Sequence, residues 1–125
     1  MQTKPILKKG AIICALLSFN LISAGYTYKL TPKLGRIKGV QAEETYYNLP
    51  MYRVVETMRA RGYSEADFPY YIREDGVKML GDFIIVAADL SKYPRGTVVY
   101  TTLGQGLVCD TGEDLNGFDL AVDWK

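Results

Sequence analysis

The sequence predicts a small, mainly β protein: a six-stranded, barrel-like domain preceded by a short helix and an N-terminal hydrophobic signal or anchor segment. Three observations carry this prediction. From Tyr70 onward, short runs rich in Val, Ile, Phe and Tyr alternate with glycine turns, the grammar of a small sheet closed on itself. Just before them, Met51, Val54, Val55 and Met58 recur at helical spacing. At the start, the uncharged run Gly10–Tyr28 follows Lys4, Lys8 and Lys9, the layout of an export signal. A chain of 125 residues has room for one such domain.

Residues 1–28 are therefore expected to be a signal peptide or membrane anchor, and the protein to lie outside the cytoplasm. The apolar heart, Ala11–Ala24, is shorter than the roughly 20 residues of a typical spanning helix. Cleavage could follow Ala24 or Ala42, or the segment could stay as an anchor. Lys29, Lys33, Arg36 and Lys38 nearly balance the cations on the other side, so loop charge does not set an orientation. Ala11-Ile12-Ile13 before Cys14 lacks the small residues of a lipoprotein signal. Residues 29–47 mix Gly, Pro, Thr and Lys without periodicity and read as a linker.

Residues 48–69 read as a helical extension. Asn48-Leu49-Pro50 offers a cap-like residue with proline near the first turn, the helix runs over about 51–61, and Gly62 stops it. Residues 70–125 form the β domain. Tyr70–Ile72 leads through Glu74-Asp75-Gly76 into Val77–Leu80, and Phe83–Ala87 is a buried-strand run. Pro94-Arg95-Gly96 turns the chain into Thr97–Thr101, Gly104-Gln105-Gly106 turns it again into Leu107–Cys109, and Phe118–Val122 is the last strand. The ten tyrosines suit a barrel rim, where an aromatic body packs and a polar tip stays wet.

Charge and residue types narrow the function classes. Residues 1–42 hold seven cations and no acid, whereas residues 43–125 hold eight cations and fourteen acids. An acidic domain repels phosphate backbones, so no nucleic-acid partner is expected. The absence of histidine removes Ser-His-Asp and Cys-His nucleophile systems and the usual zinc sites. Of the two cysteines, Cys14 falls in the apolar run and Cys109 in the domain, so no intradomain disulfide is expected.

The acids that matter stand at strand ends: Asp89 after Phe83–Ala88, Asp110 after Leu107–Cys109, and Asp119 at the opening of the last strand. A carboxylate beside a buried strand is partly desolvated, which raises its pKa toward the range useful for general acid work. Each also has a plainer reading as a turn former that binds its own backbone. Asp110-Thr111-Gly112 after two apolar residues is an aspartic-protease motif too. That fold is expected to place most of its chain after the motif, and thirteen residues follow Gly112 here. A calcium site through Asp110, Asp114 and Asp119 lacks the alternating ligands of an EF-hand loop; no metal or cofactor is expected.

Four blocks in order resemble the three-aspartate (3D) domain family: Val86-Ala87-Ala88-Asp89, Tyr93-Pro94-Arg95-Gly96-Thr97, Val108-Cys109-Asp110-Thr111-Gly112 and Asn116-Gly117-Phe118-Asp119-Leu120. That family has a double-psi β-barrel and occurs in MltA-type lytic transglycosylases and Gram-positive cell-wall-associated proteins. The resemblance spans about residues 72–125. It implies a cell-wall-associated protein, secreted or membrane-anchored, that partners peptidoglycan glycan strands and touches membrane only through its N-terminal segment. It further implies catalysis by Asp119, Asp110 and Asp89. Asp119 would protonate the glycosidic oxygen and then help the muramic 6-hydroxyl close onto C1, Asp110 would orient it, and Asp89 would fix the loop backbone. The MltA-type enzymes bind glycan between this barrel and a second domain. A non-catalytic wall-binding or assembly module, and a phage-derived structural protein with the same barrel, are the alternatives.

Overall fold

The computed structural model describes residues 28–112 and 116–125. The expected signal or anchor segment lies, but for Tyr28, outside the described residues; among these no helix is long and apolar enough to cross a membrane. The described chain is mainly β, with one helix and eight strands: β1 (Arg36–Lys38), β2 (Glu43–Tyr47), α1 (Tyr52–Ala60), β3 (Tyr70–Ile72), β4 (Lys78–Leu80), β5 (Phe83–Ala88), β6 (Val98–Thr101), β7 (Gly104–Thr111) and β8 (Phe118–Ala121).

All eight strands belong to one sheet, which is not closed. Its path runs β1-β2-β8-β5-β4-β3, with β7 also paired to β5 and β6 paired to β7. Three features differ from the sequence expectation. The expected sheet closes on itself, whereas this one is open. The strand count is eight rather than six, because the expected linker supplies β1 and β2. And β2 enters the sheet parallel to β8, with Thr45 opposite Asp119 and Tyr47 opposite Ala121. Thr45, Tyr46 and Tyr47 are strong β-formers, but Glu43 and Glu44 beside them hide the strand from a search for apolar alternation.

Glu44 is fully buried, and it is what fastens this end of the chain to the domain. Its Oε2 accepts from the Thr102 backbone N–H at 2.9 Å and its Oε1 from the Thr102 hydroxyl at 2.7 Å. The same hydroxyl accepts from the backbone N–H of Leu30 at 2.9 Å, and Leu30 is buried in the core. Burial pushes the Glu44 carboxyl above its ordinary pKa, against the two hydrogen bonds from Thr102.

The core has two parts, one on each face of the sheet, as strict side-chain alternation requires. Val77, Met79, Ile84, Val86, Ala88, Val99, Val108, Phe118 and Leu120 form one cluster. Ile85, Leu107, Cys109 and Ala121 face the other way, where they meet Met51 and Met58 of the helical segment and Tyr63 and Phe68 beyond it. Strand β5 is buried at all six positions because it has partners on both edges and cover on both faces.

Helix α1 ends as expected. Gly62, at φ +98°, takes the left-handed conformation that only glycine adopts freely. Its N–H bonds to Arg59 O and the Tyr63 N–H to Met58 O, the two closing bonds of a Schellman stop. The start differs from expectation: Met51 precedes the helix without a side-chain cap. Asn48 instead bridges other elements, accepting from Lys78 Nζ at 2.9 Å and donating to the Trp124 carbonyl at 3.1 Å. The turn expected at Gly104-Gln105-Gly106 also lies earlier, at Thr102 and Leu103, with Gly104 already paired to Thr101. Gly106 is a strand residue; a Cβ there would crowd the methyls of Val86 and Val99.

Candidate functional site

Two strand pairings converge on Ala87. It is the register partner of Asp119 across the antiparallel β5–β8 pair and of Asp110 across the parallel β5–β7 pair. Asp119 in turn stands opposite Thr45 on β2, and Thr45 opposite Arg36 on β1. Paired residues share a face of a sheet, so Arg36, Thr45, Asp119, Ala87 and Asp110 form one transverse row. The methyl of Ala87 is the only side chain between the two acids in this row.

A β-bulge puts Asp110 in the row. Val86 pairs with Val108 but Ala87 pairs with Asp110, so Cys109 is an extra residue on β7. A regular ladder would pair Ala87 with Cys109 and turn Asp110 to the opposite face. The extra residue keeps Cys109 in the helix-side core and brings Asp110 to the same face. The Cys109 carbonyl accepts from Arg95 Nε at 3.0 Å, which anchors the Pro94-Arg95-Gly96 turn beside the bulge.

The hydrogen bonds give the two acids different chemistry. Asp110 has both oxygens engaged: Oδ2 accepts from the Tyr47 hydroxyl at 2.8 Å and Oδ1 from the Thr111 backbone N–H at 2.8 Å. Asp119 accepts at Oδ1 from the Thr45 hydroxyl at 2.8 Å, and among the described residues no hydrogen bond engages its Oδ2. Asp119 is half-buried. Burial pushes its pKa above the ordinary aspartate value and the negative charge of Asp110 adds to the rise; the Thr45 bond and the Arg36 charge oppose it. The Tyr47 phenol is also pushed far up, first by burial and then by the charge of Asp110, so it stays a proton donor at every working pH. One carboxyl with its pKa raised by burial beside another with both oxygens hydrogen-bonded is an arrangement in which two identical side chains can divide acid and charge-supporting roles.

Asp89 is not joined to this pair. It follows β5, and its Oδ1 accepts from the Ser91 backbone N–H at 2.9 Å and from the Ser91 hydroxyl at 2.7 Å. Those bonds lower its pKa, and its carbonyl accepts from Lys92 and Tyr93. Asp89 shapes the loop that leaves β5. Thr45 and Tyr47, by contrast, belong to the site and went unnoticed in the sequence; the β-forming run Thr45-Tyr46-Tyr47 was the available signal.

Among the described residues, no group of three or more His, Cys, Asp or Glu is arranged to hold a metal ion. A cavity of about 650 Å³ lies elsewhere, lined by Tyr28, Leu34, Ile37, Lys38 and Val40 among others. No family model, curated protein or solved structure matches the chain.

Proposed function

We propose that this is an exported cell-wall protein that cleaves glycosidic bonds of peptidoglycan glycan strands in the manner of a lytic transglycosylase, with Asp119 as acid and base. The observation that carries the reading is the row Arg36–Thr45–Asp119–Ala87–Asp110, in which one carboxyl is desolvated and its neighbour is held by Tyr47. The parallel pairs β2–β8 and β5–β7, flanking the antiparallel pair β5–β8, support a double-psi barrel arrangement.

The chemistry needs one group that both gives and takes a proton. Asp119, with its pKa raised, retains a proton to higher pH than an exposed aspartate, and its Oδ2 presents it to the glycosidic oxygen as the leaving sugar departs. The carboxylate left behind then accepts a proton from the muramic 6-hydroxyl as that oxygen closes onto C1. Asp110 stays in place throughout, raising the proton affinity of Asp119 by its charge and held by Tyr47 and Thr111. This single-acid route differs from glycosidases that place two carboxylates around a water or a covalent intermediate.

A second reading, a barrel that binds wall polymer without cleaving it, is favoured by the position of the 650 Å³ cavity, whose lining includes neither Asp110 nor Asp119. Mass spectrometry of muropeptides separates the two. Purified peptidoglycan incubated with the full-length chain should give anhydro-muropeptides, and Asp119→Asn should give none. Folded wild-type protein that sediments with the wall and releases no anhydro product would leave the binding module.

A further inference from the structure

The described chain begins on an exposed apolar surface. Tyr28 is 75% exposed, Leu34 50% and Val40 47%, and all three line the same cavity of about 650 Å³. Large apolar side chains gathered on a surface mark a contact site when they are contiguous rather than scattered. Their neighbours turn inward: Leu30 is buried in the core, and Ile37 packs against the cluster that contains Phe118.

The charged residues of the segment 28–40 are all cations, and the exposed acid opposite Lys38 on β2 is Glu43. Lys29, Lys33 and Lys38 are exposed, and no acid occurs in residues 1–42. The two nearest acids in sequence are both occupied. Glu43 pairs with Arg36 at 2.6 Å, and Glu44 is buried and bonded to Thr102. Nothing of opposite charge among the described residues is bonded to the three lysines.

Where the chain enters this surface matters as well. The residues preceding it, Gly10–Thr27, carry no charge, with Ala11–Ala24 as their apolar heart. Tyr28, which belongs to the apolar patch, follows them directly in the sequence.

We propose that the face formed by residues 28–40 docks on an anionic phospholipid bilayer, with Tyr28, Leu34 and Val40 in the interfacial layer and Lys29, Lys33 and Lys38 on lipid phosphates. A bilayer is the partner that offers negative charge and apolar depth over a few ångströms, and a tyrosine at headgroup level is the usual boundary residue. The face is separate from the aspartate site. The cavity that Tyr28, Leu34, Lys38 and Val40 line includes neither Asp110 nor Asp119. Docking brings the whole domain against the membrane, beyond any tether through the N-terminal segment, and does not depend on the glycan reading.

The test places an environment-sensitive fluorophore on the full chain, in a Cys14→Ser background, at Leu34→Cys, Val40→Cys or, as a control, Glu65→Cys. Vesicles contain equal parts phosphatidylglycerol and phosphatidylcholine, with or without a spin-labelled lipid. Labels at 34 and 40 are expected to shift to the blue and to be quenched by the spin-labelled lipid, with the control at 65 unchanged. Replacing Lys29, Lys33 and Lys38 by Glu should weaken this docking on the order of a hundredfold, since each near-surface lysine is worth several-fold in partitioning. Labels at 34 and 40 as water-exposed as that at 65 would overturn the proposal. So would a blue shift without lipid quenching, which means that a second copy or the chain's own first residues cover the face. A chain that stays off the vesicles overturns it equally.

Discussion

Tyr47 donates its hydroxyl proton to Asp110 across 2.8 Å, although their strands, β2 and β7, are separated in the sheet by β8 and β5. The residues at the intervening register positions are Ala121, opposite Tyr47, and Ala87, opposite Asp110. One hydrogen bond thus ties β2 to the bulged end of β7 and fixes the carboxyl whose charge adds to the rise that burial gives the Asp119 pKa.

Tyr47→Phe isolates that bond. The ring keeps its packing against the helix-side core while Asp110 Oδ2 loses its donor. A hydrogen bond to a charged acceptor is worth about 1.5–3 kcal/mol, and the partial exposure of Asp110 places the loss toward the low end. Urea denaturation should show a lower midpoint with an unchanged slope. On the proposed reaction, release of anhydro product should fall while the far-ultraviolet spectrum stays as in the wild type.

Much of the fold and part of the site were legible in the sequence. The run Phe83–Ala88 is a buried strand and Gly62 ends the helix, both from local pattern, which also marks Asp110 and Asp119 as acids at strand ends. The pairing partners were not legible, because register between distant strands depends on contacts no local pattern records. Cys109 illustrates this: nothing in Val108-Cys109-Asp110 announces that the cysteine is the inserted residue of a bulge, yet the insertion decides which face Asp110 occupies. Glu43 and Glu44 hid β2 for a different reason. A buried glutamate reads as solvent-facing until its partner, Thr102, 58 positions away, is known.

The raised pKa of Asp119 has a consequence for stability. A carboxyl that holds its proton more tightly folded than unfolded makes the folded chain lose stability as pH rises from the ordinary value of 3.8 through the raised one. Below that window both states are protonated there and the loss disappears. Asp119→Asn removes the titration and keeps an oxygen for the Thr45 hydroxyl. Its melting temperature relative to wild type should therefore be higher at pH 7 than at pH 3, a difference that thermal unfolding across the range will read. A difference of the opposite sign would mean that Asp119 is stabilised as the carboxylate.

Glu44 should separate the strength of its hydrogen bonds from the cost of its charge. Glu44→Ala leaves the part-buried Thr102 N–H without an acceptor and opens a gap under the β1–β2 turn, costing about 2–4 kcal/mol. Glu44→Gln keeps one oxygen for that N–H and removes a desolvated charge, so its loss at neutral pH should be much smaller. Hydrogen exchange at Thr102 and Leu30 should accelerate in the alanine variant and change little in the glutamine variant.

Gly117 tests whether the β2–β8 pairing sets the geometry of the acid. A Cβ at this position would fall against the Glu43 backbone, 3.0 Å from its carbonyl carbon and closer still to its oxygen. Backbone cannot swing aside as the tip of a side chain can, so Gly117→Ala has to push β2 away from β8 at the point where Glu44 meets Phe118. Overpacking of this kind costs about 1–3 kcal/mol. The displacement should also lengthen the Thr45–Asp119 hydrogen bond, which stands one residue further along the same pair. That bond lowers the pKa of Asp119, so weakening it should raise the pKa further. Carboxyl-carbon NMR titration of Asp119 in the alanine variant should accordingly give a midpoint above that of the wild type. A lowered melting temperature with an unmoved Asp119 midpoint would show that β2 yields as a whole and carries Thr45 along without disturbing the acid.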